Sequence, residues 1–244
     1  GMGNQFLDDL RQADALIHVI DVSGSINEKG EPVDALSYDP CNDVKFLEEE
    51  LDYWYLGILK KGWEKFSRTI QQEKSPVQKA IAKQLSGLRI NEEMVEAGIK
   101  KLRLDVEKPA AWTDDEMLSL AKEFRKKTKP MIIAANKIDI PGADKNFEKL
   151  KEKFPEYKII ACSAESELAL REAAKNKLID YVPGGSSFEI IAEDKLSDKQ
   201  KMALEFIKKN MLEKFGSTGV QEVIDSAVFR SEERRVGKEC RSRW

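Results

Sequence analysis

"KPMIIAANKIDIPG", Lys129 to Gly142, is the most informative stretch of the chain. Pro130 closes off any preceding helix, because its ring pushes the residue before it out of the helical region. Met131 to Ala135 is then an unbroken apolar run of strand length, the pattern of a strand buried on both faces of a sheet. Asn136-Lys137-Ile138-Asp139 follows as a polar segment, and Pro141-Gly142 turns the chain. One short stretch therefore reads as strand, polar loop and turn, and loops at the carboxyl ends of parallel strands are where such sheets bind ligands.

On either side of it, two more runs have the same apolar character, "ALIHVIDV" from Ala15 to Val22 and "YKIIACSA" from Tyr157 to Ala164. Both read as strands buried on both faces. Helical patterns separate the three, which predicts an α/β fold with three mainly parallel strands. The Cys162-Ser163-Ala164 segment then ends the strand that follows the Asn-Lys-Ile-Asp loop.

The chemistry of Asn-Lys-x-Asp after a rigid strand suits one ligand well. Guanine presents two donors, N1–H and the 2-amino group, on one edge, and a single carboxylate can accept both. Asp139 is placed for that, and adenine offers no such pair. Asn136 can bond the other edge of the base and tie neighbouring loops together, while the stem of Lys137 can lie over the ring. A backbone N–H of Ser163 or Ala164 suits the guanine O6. A site of buried polar groups rejects bases that leave those groups unpaired. The competing reading, a plain polar turn, explains the four residues but not the strand before them or the Ser-Ala loop one unit later. Phosphate binding is another matter, since no G-x-x-x-x-G-K-[ST] occurs in the 244 residues. Asp21-Val22-Ser23-Gly24 has the D-x-x-G form that contacts magnesium in nucleotide sites, but the block after it reads as helix rather than strand. Asp21 is expected to end the first strand instead.

That block, roughly Asp39 to Glu107, is helical. Val44, Leu47, Leu51, Trp54 and Ile58 step by three and four residues, a narrow apolar seam. Trp63, Phe66 and Ile70 continue it. Ser75-Pro76 opens a new helix with Val77, Ile81, Leu85 and Leu88 on one face, and Asn91 can cap a third towards Leu102. Tyr53, Trp54, Tyr55 and Trp63 are expected to pack this hairpin or small bundle rather than stack on nucleic acid. Thr113-x-x-Glu116 and Ser197-x-x-Gln200 are capping boxes of later helices. "YVPGGSS", Tyr181 to Ser187, reads as a turn and linker, and "GSTG", Gly216 to Gly219, precedes a last helix ending near Val228.

Composition adds little beyond exclusion. Formal net charge is −3 from 41 basic and 44 acidic residues, so the total charge calls for neither nucleic acid nor an anionic membrane. Three scattered cysteines fit no disulfide framework or zinc site. No apolar run is long enough to cross a bilayer as a helix, so no membrane partner and a cytoplasmic location are expected.

Taken together, "GMGNQFLDDLRQADALIHVIDVSG", "DPCNDVKFLEEELDYWYLGILKKGWEKF", "QLSGLRI", "KPMIIAANKID", "CSAESELALREAAK", "LIDYVPG" and "GSTGVQEVIDSAVF" resemble the Obg-related, YchF-type GTPases of the translation-factor class, most of all their archaeal members. The resemblance runs over residues 1–229. It implies GTP and GDP as ligands, because Asp139 is retained, with Asn136, Lys137, Asp139, Ser163 and Ala164 as base contacts. It implies a hydrolase acting with Mg²⁺ and a ribosomal RNA or protein partner. It also places the P-loop, the switches and the Mg²⁺ ligands upstream of residue 1, and a TGS domain after the last helix. No catalytic or metal-binding residue is therefore expected within this sequence. On this reading, residues 1–37 and 111–183 are the later part of a GTPase domain, 38–110 an inserted helical domain, and 184–229 a helical linker region. Arg230 to Trp244, "RSEERRVGKECRSRW", resembles the translation of a sequencing-library adapter. The fragment is expected to be inactive alone, and its first strand to expose an apolar edge that invites association. The alternative reading is a non-enzymatic helical module that binds protein or RNA, its nucleotide site vestigial.

Overall fold

A computed structural model describes residues 10–229; the adapter-like segment lies outside the described residues. Strands β1 (Leu16–Asp21), β2 (Met131–Asn136) and β3 (Lys158–Ala161) form one sheet in the order β1-β2-β3. β2 and β3 run parallel, Ile133 opposite Ile159 and Ala135 opposite Ala161. Bonds from Leu16 N–H to the Pro130 carbonyl and from Val22 N–H to the Asn136 carbonyl set β1 parallel to β2 as well. The fold is thus α/β with a parallel three-stranded sheet, as the three apolar runs predict.

Contacts divide the chain into two units: residues up to 16 with 45–130, and 17–44 with residues from 131 onward. The second holds the sheet. Its central strand β2 is buried from Met131 to Ala135, none of these residues being more than 3% exposed. The period of two sorts its side chains between two apolar clusters. Ile133 and Ala135 join Leu150, Leu170, Leu204 and Met211, while Ile132 and Ala134 join Ile160, Cys162 and Val223. β1 departs from the expectation of burial on both faces. Ile20 is buried, but Ile17 is 42% and Val19 60% exposed, so one face of this outer strand is uncovered among the described residues.

After β1 a loop, residues 22–40, folds back on itself. Ile26 and Pro32 make an isolated antiparallel bridge, and the Asn27 side chain caps the backbone N–H groups of Lys29 and Glu31. Gly24 has φ +60, and a side chain there would run into the Tyr38 carbonyl, so the close approach requires glycine.

The first unit is a helical bundle built from most of α1 (Cys41–Lys60) and from α2 (Trp63–Glu73), α3 (Val77–Gln84), α4 (Glu92–Leu102) and α5 (Asp114–Thr128). Its starts are those the sequence marks. Asn91 accepts from Met94 N–H at α4, and Thr113 and Glu116 close a reciprocal capping box at α5. The core combines Leu59, Ile70, Ile81, Val95, Leu120 and Phe124 among others. One correction concerns α1. The expected seam ran through Leu47, Trp54 and Ile58, yet along the helix the fully buried apolar positions are Cys41, Val44, Leu51, Tyr55 and Leu59, with 47, 54 and 58 half-buried. Steps of four rotate the inward stripe, giving the wide face of a globular helix rather than a coiled-coil seam. The aromatic expectation holds for three residues of four. Tyr55 and Trp63 are buried, Trp63 stacking on Trp112 at 5.4 Å, and half-buried Trp54 packs against the same core, whereas Tyr53 is 60% exposed.

Downstream, α6 (Ala143–Lys153) joins β2 to β3, and α7 (Ala164–Lys175) follows β3. The segment read as turn and linker forms the end of a small hairpin, β4 (Ile179–Asp180) pairing antiparallel with β5 (Glu189–Ile190). α8 (Asp198–Ile207) starts at the Ser197–Gln200 capping box and widens into a π-helical turn over Lys208–Leu212. A last helix, α9, covers residues 220–229. No helix among the described residues is long and apolar enough to cross a membrane.

Candidate functional site

The two loops singled out by sequence meet at the carboxyl ends of β2 and β3. Pairing of the strands brings them side by side, and bonds continue past the strand ends: Cys162 N–H donates to the Ala135 carbonyl and Ile138 N–H to the Cys162 carbonyl. Ile138 is buried and anchors the loop, while Asn136, Lys137 and Asp139 on either side are half-exposed. This alternation is what a loop needs if it is to be held rigidly while offering polar groups outward.

Asn136 joins the loops directly. Its Oδ1 accepts the Ala164 N–H at 2.9 Å. Ser163 caps α7 through its side chain, accepting the Ser166 N–H, and its own N–H donates to the Thr218 carbonyl. Of the two amides expected to face O6, that of Ser163 is thus bound to main chain and that of Ala164 to a side chain that can turn away. Cys162, just beneath, is buried, and its thiol is pushed up to about 12 by burial, with the charge of Asp139 adding to the effect. It is an inert packing group.

Lys137 lies in the left-handed region, φ 64. Its Nζ donates to Asp21 Oδ2 at 3.0 Å and to Ser25 Oγ at 3.2 Å. Asp21 is the last residue of β1, as expected, and accepts further bonds from the Ser23 N–H, the Ser23 hydroxyl and the Ser25 hydroxyl. Burial raises its pKa, but these bonds and the Lys137 charge outweigh it and hold the carboxyl below its usual value.

Residues 134–236 match the family model described as "Obg-like GTPase YGR210-like, G4 motif-containing domain", a span that contains every candidate site residue. An uncharacterized GTP-binding protein of Methanocaldococcus jannaschii is 49% identical over 229 residues, 94% of this chain and 56% of that protein. The chain is thus similar to a GTP-binding protein over most of its own length, and to the Obg-like model over residues 134–236. An uncharacterized GTP-binding protein of Schizosaccharomyces pombe is 33% identical, over 93% of this chain and 56% of its own length. The crystal structure of a GTP binding protein from Pyrococcus horikoshii superposes with a TM-score of 0.74 at 42% identity, covering 93% of this chain and 60% of that one. The chain therefore spans little more than half the length of the relatives it matches.

Within the stretch that matches the G4-domain model, further residues not marked by any sequence motif hold the Ser-Ala loop in place. Glu167 on α7 is 3% exposed and accepts from Thr218 Oγ1 at 2.6 Å, from Tyr181 OH at 2.7 Å and from Arg171 Nε. Burial raises its pKa, but those three donors outweigh the effect and hold the carboxyl below its usual value. The same Thr218 gives its carbonyl to Ser163, and Gly219 beside it has φ +77 and lies against the Ala161 carbonyl so closely that any side chain would overlap it. The "GSTG" stretch is thus the clamp of the Ser-Ala loop. The signal present in the sequence was an acidic residue beside the apolar face of α7, three residues before Leu170.

Proposed function

We propose that this chain supplies the guanine-recognition half of a GTPase. The observation that carries the reading is the Asn136–Ala164 bond, which unites the two loops at the carboxyl ends of adjacent parallel strands. Asp139 then accepts N1–H and the 2-amino group of the base, and Asn136 turns to the opposite edge, freeing the Ala164 amide for O6. The homology to GTP-binding proteins supports the same ligand. In the whole protein, GTP is hydrolysed to GDP by positioning and charge stabilisation of the transferred phosphoryl group, and ribosomal action enters only through the sequence resemblance. Mg²⁺ enters the reading only through the resemblance, which places its ligands upstream of residue 1. With no phosphate-binding motif in its sequence, the chain alone binds guanine nucleotides weakly and does not turn GTP over.

The test is an NMR titration of the chain with guanosine 5′-monophosphate and, separately, adenosine 5′-monophosphate. The amides of Asn136, Asp139 and Ala164 are expected to shift with the guanine nucleotide and not with the adenine one. Asp139→Asn replaces one acceptor by a donor, and it should transfer the preference to xanthosine 5′-monophosphate, whose 2-position is an acceptor. Equal shifts with guanine and adenine nucleotides would end this reading.

A further inference from the structure

We propose that Asp21 and Ser25 are positioning residues for the base site, acting through Lys137. The inference rests on the guanine reading above and goes beyond it, since neither residue belongs to the two loops that read the base. A lysine side chain carries a large rotamer entropy, which a free lysine would lose each time it settled over a ring. Here that loss is met in advance. The ammonium is held at one end by Asp21 Oδ2 at 3.0 Å and Ser25 Oγ at 3.2 Å, and the backbone at the other end is fixed in the left-handed region at φ 64. Between two fixed ends the four methylenes form a settled apolar strip beside Asn136 and Asp139.

The anchor is itself built rather than incidental. Ser25 donates to the same Asp21 oxygen that Lys137 uses, at 2.7 Å, while the other oxygen takes the hydroxyl and N–H of Ser23. The side chain of Asp21 is 12% exposed, so the pair is shielded from water on the carboxylate side. Leu36, from the loop that carries Ser25, lies against Gly142 at the start of α6, so that loop borders the Asn-Lys-Ile-Asp segment at both ends. Preorganising a contact group lowers the cost of binding without adding a contact.

The experiment is a double-mutant cycle read by the same titration with guanosine 5′-monophosphate. Asp21→Asn should weaken binding about fivefold to tenfold, the range expected for loss of one charged hydrogen bond. Lys137→Met keeps a stem but has no ammonium to anchor, and in that background Asp21→Asn should change affinity less than twofold. Ser25→Ala, a milder change, should weaken binding in the same direction and likewise lose its effect beside Lys137→Met. If both substitutions weaken binding as much in the Lys137→Met background as in the parent chain, they act by holding the loop and the inference is overturned; it is also overturned if neither weakens binding in the parent chain. An unmutated chain that fails to prefer guanine over adenine overturns the base reading itself, an outcome visible before any variant is made.

Discussion

His18 shows how one side chain can set a pH response. It lies on β1 with Nδ1 buried and no hydrogen-bond partner among the described residues, and burial lowers its pKa from 6.5 to about 4. The folded-state value is below the unfolded one, so the unfolded chain takes up a proton that the folded chain refuses. Stability is then complete above about pH 6.5 and falls as the pH drops towards 4, by about 2 kcal/mol between pH 7 and pH 5. Asp21 and Glu167 have lowered values too, but their unfolded values near 3.8 and 4.5 put that loss below pH 5. Asp43 and Asp52, raised by burial, act in the opposite sense, gaining stability as the pH falls, so a loss across the window from pH 7 to 5 belongs to His18. Urea midpoints should fall across it for the parent chain and stay nearly level for His18→Leu; an unchanged slope in the variant would assign the response elsewhere. Single residues also differ in how far the sequence announces them. Asn136 to Asp139 were legible because the pattern is local. Glu167, Tyr181 and Thr218 were not, because the bonds that give them meaning join residues 14 and 51 positions apart.

Elements were legible where a run or a cap declares itself in a few residues. β2 and β3 follow from unbroken apolar runs, and the starts of α4, α5 and α8 from Asn91, Thr113 and Ser197. The rotation of α1 was not, since apolar residues at 44, 47, 51, 54, 55, 58 and 59 fit two stripes and only packing chooses between them. β1 failed for a similar reason. "LIHVID" is as apolar as a strand covered on both sides, but the sheet order leaves it outermost with Ile17 and Val19 open. An outer strand with an uncovered apolar face is a template for pairing with another chain. The chain is expected to self-associate as concentration rises, and Val19→Lys, which places a charge on the open face, to suppress this. Light scattering across a concentration series decides it: a variant that associates as strongly as the parent would place the sticky surface elsewhere.

Across the full chain, chemistry and bulk are divided. Every candidate base contact, the Asp21–Lys137 anchor and the Glu167 clamp belong to the unit containing the sheet, while residues 45–130 carry a core of their own. That core is helical. Tyr55 bonds Thr128 in its interior at 2.6 Å, and Arg125, almost fully buried, is neutralised by Asp52 and Glu48 from α1. A buried cation is costly unless it is paired, and these two carboxylates come from the same bundle. Residues 45–130 expressed alone should therefore show a helical circular dichroism spectrum and a single sigmoidal thermal transition. Their NMR spectrum should be indifferent to guanosine 5′-monophosphate, because no base contact lies within them. A broad, non-cooperative melt would mean that the bundle depends on the sheet for its order, and that the two clusters are one folding unit despite their separate cores.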